Sequence, residues 1–121
     1  LTLQATYDLR VAEIENGKLD AAAPRLTRVM QKSKDPALAL VARLRLARLQ
    51  IEQGQADAAL ATLSGAEAGA FAPRFAEVRG DALLAKGDRA GALAAYREAR
   101  AAGSAVDADL LDLKINDLTR T

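Results

Sequence analysis

Apolar residues recur every three to four positions along most of the chain, the spacing of helices with one face turned inward. The first stretch carries Leu3, Tyr7, Val11 and Ile14 and stops at Asn16-Gly17, a left-handed helix-ending signal. Asp20 is expected to cap a second helix bearing Leu26, Val29 and Met30. The polar run Lys32-Ser33-Lys34-Asp35-Pro36 breaks the pattern, with Asp35 placed as an N-cap and Pro36 at the first helical position. A third helix runs from there to Gln53-Gly54, with Leu40, Leu44, Ala47 and Ile51 on one stripe. Asp57 lies near the start of a short fourth helix with Leu60 and Leu63, and Ser64-Gly65 and Gly69 then break the helical spacing. Pro73 suits the opening turn of a fifth, through Phe75, Val78, Leu83 and Leu84 to Lys86-Gly87. Asp88 opens a sixth, with Leu93 and Tyr96, ending near Gly103. A seventh, capped by Ser104 or Asp107, carries Leu110, Leu111, Ile115 and Leu118. No stretch alternates with period two over a useful length, so the pattern predicts an all-α fold.

The helices come in similar pairs. Three turns read Gly17-Lys-Leu-Asp-Ala-Ala, Gly54-Gln-Ala-Asp-Ala-Ala-Leu and Gly87-Asp-Arg-Ala-Gly-Ala-Leu, with the glycines 37 and 33 residues apart. Tetratricopeptide repeats have a period of about 34. The third unit fits best, with Gly80, Leu83, Gly87, Asp88, Ala92, Tyr96 and Ala99 at that repeat's spacings, and Gly80 and Ala92 expected where two helices cross closely. Ala47, Gly54, Ala59 and Ala66 take the equivalent places in the second unit, while Arg10 makes the first degenerate. The expected architecture is one tetratricopeptide-like right-handed solenoid over residues 1–121, with about three helix hairpins and a C-terminal capping helix. The first helices of such hairpins line a concave groove. By register its wall residues are Tyr7, Val11 and Ile14 in the first unit, Leu44, Arg48 and Ile51 in the second, and Arg74, Glu77, Asp81 and Leu84 in the third. Apolar groove residues suit extended or helical peptide segments, because they need not read particular side chains. The competing expectation is that the seventh helix, or a helix preceding the chain, fills that face.

Composition narrows the chemistry. Half of the 121 residues are hydrophobic, mostly Ala and Leu, and only 3% are aromatic, a balance that favours helices over strands. Cysteine and histidine are both absent, which removes disulfides, cysteine nucleophiles, Ser–His triads and imidazole-bearing zinc sites. A net charge of +1 gives no basic bias toward nucleic acid, and the uncharged windows are too short to span a bilayer. The chain starts inside an amphipathic pattern at Leu1 and reads as a fragment lacking an N-terminal anchor.

No catalytic, cofactor or metal residues emerge. Asp107, Asp109 and Asp112 lie close in sequence, but a carboxylate pair works as acid and base only in a cleft that shifts its pKa values, and Asp107 is explained by capping. The glycines stand singly at turns, not in a phosphate-binding loop. Arg43, Arg45 and Arg48 form the densest basic cluster, read either as a solvated face or as a contact for an acidic partner, with Arg48 on the inner side of its helix. Phe71 and Phe75, one turn apart, and Tyr96 are assigned to the core. Repeat domains that grip acidic chaperone tails place Lys and Asn in the groove. Tyr7, Val11, Arg45, Arg74 and Val78 stand there instead, so that function is not expected.

Four strings carry a more specific resemblance: Leu44-Arg-Leu-Ala-Arg-Leu-Gln-Ile-Glu-Gln-Gly54, the adjoining Ala-Asp-Ala-Ala-Leu-Ala-Thr-Leu, Arg79-Gly-Asp-Ala-Leu-Leu-Ala-Lys-Gly-Asp88, and Leu113-Lys-Ile-Asn-Asp-Leu118. In that order and spacing they resemble the periplasmic domain of the YfgM family, ancillary subunits of the bacterial SecYEG translocon. The resemblance covers nearly the whole chain. It implies a parent with a short cytosolic segment, one membrane span and this domain on the periplasmic side of the inner membrane. It implies protein partners: SecYEG, a PpiD-like periplasmic chaperone and exported polypeptides. It brings no catalytic residues with it. The function it implies is a non-enzymatic interaction module that helps transfer exported proteins to periplasmic chaperones. The alternative is a generic scaffold, cytoplasmic, that bridges components of an assembly.

Overall fold

The computed structural model describes residues 19–103 and 108–120, with side chains from Ala22 onward. Among these residues it is all-helical, without strands. The elements are α1 (Leu19–Lys32), α2 (Pro36–Glu52), α3 (Ala56–Ser64), a 3-10 turn (Gly69–Phe71), α4 (Ala72–Ala85), α5 (Arg89–Ala101) and α6 (Ala108–Thr119). Helices α2/α3 and α4/α5 form two hairpins, and α2 also packs on α4, so successive first helices lie side by side. The expected first helix of the first unit, with Arg10, and the expected caps Ser104 and Asp107 lie outside the described residues.

Local chemistry sets the boundaries. The Asp35 carboxylate accepts from the N–H groups of Ala37 and Leu38 at 3.0 and 3.3 Å, with Pro36 opening α2. Asp88 accepts from Gly91 N–H at 2.9 Å and caps α5. Pro73 lies in the first turn of α4. Asp20 does not cap: the backbone is already helical at Leu19, so Asp20 lies inside α1. The two repeat turns are alike bond for bond. Gly54 donates to Ile51 O and Gln55 to Gln50 O, and Gly87 donates to Leu84 O and Asp88 to Leu83 O. This double closure requires a left-handed residue, and both glycines have φ near +80° (78° and 89°).

Helix α2 is apolar on two opposite faces. Leu38, Ala42, Leu46 and Leu49 pack against Ala22, Leu26 and Val29 of α1. Leu44 and Ala47 pack against Ala59 and Leu63 of α3 and Phe75, Val78 and Ala82 of α4. Being sandwiched between neighbours is what an interior solenoid helix requires. The third cluster joins Ala76 of α4, Ala92, Tyr96 and Ala99 of α5, and Leu111 of α6, with Ile115 and Leu118 beside it.

The repeat register extends to α6. Val78 and Ala82 of α4 face the preceding hairpin, and 33 residues on, Leu111 and Ile115 of α6 do the same. Helix α6 thus takes the next first-helix place after α2 and α4. The α4 positions that face its own hairpin partner are Ala76, Gly80 and Leu83, and their α6 counterparts are Asp109, Leu113 and Asn116. That outer side is mixed, with Asp109 and Asn116 flanking Leu113, which is exposed.

Candidate functional site

A groove of about 520 Å³ runs along α2. Val41, Leu44, Arg45, Arg48 and Glu52 contribute one helical stripe of its wall, Ala22 and Leu26 come from α1, and Phe71 and Arg74 close one end. Its floor is aliphatic and its rim carries guanidinium groups. Arg48 is exposed, and no described residue bonds to its guanidinium.

Of the wall residues expected from register, Leu44, Arg48 and Arg74 line this groove. Tyr7, Val11 and Ile14 lie outside the described residues. Ile51 corrects the expectation: it points about a sixth of a turn away from Arg48 and packs into the cluster around Ala47 and Ala59. Leu84 is exposed at the far end of α4, outside the groove. Phe75 is core, and Phe71, in the 3-10 turn, is half-buried against the same cluster while also lining the groove.

Glu77 and Asp81 need the larger correction. Glu77 is only 2% exposed, and Lys114 of α6 lies 2.9 Å from its Oε2. The same ammonium reaches Asp81 Oδ1 at 3.1 Å, and its nitrogen stands 5.4 Å from the centre of the Tyr96 ring. Tyr96 O–H donates to Asp81 Oδ1 at 2.5 Å. These carboxylates are therefore the seat of the terminal helix rather than an open groove wall. On this stretch of the concave face the competing expectation, filling by the last helix, is the one observed. Helical spacing does not single out Arg43. It leaves the solvated cluster and donates to Thr62 O at 2.7 Å, satisfying a carbonyl at the end of α3. The groove residues Val41 and Glu52 share the α2 face of Arg45 and Arg48, a signal that helical spacing carries. Leu26 and Ala22 come from a second helix and could not be found from first-helix register alone.

Burial, and next the bond to Asp81, push the Tyr96 hydroxyl well above its ordinary pKa of about 10. Above about pH 10 the unfolded chain has lost this proton while the folded chain keeps it, so stability falls as pH rises. The chain has two tyrosines, so a Tyr7→Phe variant leaves Tyr96 alone. Its tyrosinate absorbance should stay absent at about pH 10.5 and appear together with loss of the helical signal. Ionisation at its ordinary pKa with the helices intact would contradict the buried hydrogen bond.

Among the described residues no group of three or more Asp or Glu side chains could hold a metal ion, and no helix is long and apolar enough to cross a membrane. Comparison with known proteins agrees with a helical repeat scaffold. Residues 4–120 match the family model of a tetratricopeptide repeat-like domain. The chain is 37% identical over 117 residues to the ancillary SecYEG translocon subunit of Escherichia coli K12, covering 95% of the chain and 56% of that protein. It is 33% identical over 104 residues to the protein of that name from Haemophilus influenzae, covering 86% and 51%. It is 31% identical over 117 residues to that of Neisseria gonorrhoeae, covering 95% and 56%. The chain thus spans about half the length of these relatives. No solved structure matches it. Two hairpins whose glycine turns make the same backbone hydrogen bonds, a third first-helix position filled by α6, and a family match over 4–120 lead to one assignment: the chain belongs to the tetratricopeptide repeat-like domain family.

Proposed function

We propose that this chain is the non-enzymatic interaction domain of an ancillary subunit of the SecYEG translocon. In this reading a membrane anchor elsewhere in the parent protein holds the domain on the periplasmic side of the inner membrane. The domain assists transfer of exported polypeptides to a PpiD-like periplasmic chaperone. The observation that carries the reading is the α2 groove, whose aliphatic floor and charged rim suit an extended or helical peptide segment. The names of the relatives supply the setting. A tether beside the channel raises the local concentration of such a surface near its client, so weak contacts suffice.

The groove geometry selects the probe. Leu44 is 8% exposed and Ile51 supports the core, so serine at both would damage packing as well as binding. Arg48 is exposed on the wall, whereas Arg97 is exposed on α5, a second helix. A photo-crosslinking residue at position 48 of the full-length protein in its membrane should capture translocon subunits, exported chains or the chaperone, and one at position 97 should not. Equal capture from both positions would move the site off the groove. Protease added to spheroplasts should digest the domain. Protection, with a known periplasmic domain cut in the same sample, would favour the cytoplasmic scaffold reading instead.

A further inference from the structure

The far end of the stack carries a helix face that the described residues leave uncovered. Helix α6 stands in a first-helix place, and in the two hairpins before it the second helix covers one side of the first. On α6 that side is bare: Leu113, at the position of Ala47 and Gly80, is 60% exposed. The side reads Asp109, Leu113, Asn116 and Arg120, in steps of four, three and four residues, so the four side chains share one stripe. Arg120 belongs to it because its N–H still donates to Asn116 O at 3.1 Å, which carries the helical path past Thr119. All four are exposed, and Leu110 beside them is 47% exposed. No described residue bonds to the Asp109 carboxylate or to the Arg120 guanidinium.

The stripe is complementary to itself. Its two ends carry opposite charges three turns apart, with an apolar and an amide side chain between them. Laid antiparallel on a second α6, Asp109 meets Arg120 of the other copy at both ends, and Leu113 meets Asn116 in both middle layers. Laid parallel, Asp109 would face Asp109 and Arg120 would face Arg120, so like charges reject that orientation. We propose that this face is a homodimer interface, in which the α6 of a second copy takes the place of the missing second helix. The close crossing that Gly80 allows is not available here, because Leu113 fills its position. A looser side-by-side pair of helices is what the face accepts. The proposal goes beyond the groove reading and does not depend on it. The contact is one helix of 12 residues, about 18 Å long, so it buries far less than the roughly 1,600 Å² of a standard interface. The dimer is therefore weak, with a Kd on the order of 100 μM, and weaker as salt is raised.

Sedimentation of the 121-residue chain from about 1 μM to about 1 mM should show its mean mass rising from monomer toward dimer. Asp109→Arg and Arg120→Asp each place like charges at both ends of the pair, and each should weaken self-association at least about tenfold. An equimolar mixture of the two variants should associate again, because the mixed pair has opposite charges at both ends. The double variant, with the two charges exchanged, should also associate. Each single change also opposes the α6 dipole, since Asp109 lies in the first turn. Mixing does not repair that, so recovery on mixing reports the pairing itself. A chain that stays monomeric throughout would overturn the proposal and leave the face to another segment of the parent protein or to a different partner. Association that neither single variant weakens would place the dimer on another surface and overturn it too. Loss in both variants without recovery on mixing would overturn the antiparallel Asp109–Arg120 pairing.

Discussion

Gly80→Leu should lower the melting temperature by about 4–12 °C, because it overpacks the α4/α5 crossing at a cost of about 1–3 kcal/mol. The obstacle is Tyr96. A Cβ built on Gly80 would stand 2.5 and 2.7 Å from two carbons of its ring. That ring cannot step aside, since it is 1% exposed and its hydroxyl is bonded to Asp81. Even Gly80→Ala collides, although alanine in a helix interior is otherwise favoured over glycine by about 1 kcal/mol. The preceding hairpin shows how the clash can be relieved. There the equivalent pair is Ala47 and Leu63, a larger residue on the first helix facing a smaller one on the second, both buried. Gly80→Ala should therefore be destabilising alone but neutral or stabilising in a Tyr96→Leu background, where the pair copies its neighbour. A thermal-melt double-mutant cycle checks this, with a coupling of at least about 1 kcal/mol expected for residues in contact. Additive effects would mean that Gly80 and Tyr96 do not limit each other and that the crossing is set elsewhere.

That crossing is legible from spacing because small residues at fixed intervals reflect a local steric demand. The same is true of Asp35-Pro36, Pro73, Asp88 and the turn glycines, whose roles depend on backbone groups within a few residues. Where the structure departs from the pattern, the deciding partner is far away in the chain. Helix α2 shows one stripe on inspection, but its second, Leu38-Ala42-Leu46-Leu49, hides because apolar residues on opposite faces cancel any sidedness. Arg43 belongs to a dense basic run, yet its guanidinium caps a helix 19 residues on. Glu77 and Asp81 have the right register for a groove wall. Only the position of Lys114, 37 and 33 residues away, reveals that they hold a helix instead.

Lys114→Met should release α6. The lysine is 25% exposed and sits between two carboxylates of α4, one of them buried. Its removal leaves Glu77 as a buried charge without a cation, in a place where its Oε1 already finds no hydrogen-bond partner among the described residues. Breaking a buried pair from one side typically costs about 3–5 kcal/mol. Water reaches the ammonium side of this one, which points to the lower end of that range. Against that cost, α6 offers the burial of Leu111, the partial burial of Ile115 and Leu118, and an exposed Arg100–Asp112 pair at 3.0 Å that contributes little. The cheapest relief is for α6 to lift away so that Glu77 regains water. Hydrogen exchange should then show loss of protection across Ala108–Thr119 while α2 and α3 keep theirs, and the thermal midpoint should fall. Adding Glu77→Leu to Lys114→Met should recover most of both losses, because an apolar pair of similar size removes the unpaired charge rather than the packing. Unchanged α6 protection in the single variant would show that Leu111 and its neighbours hold the helix without the lysine.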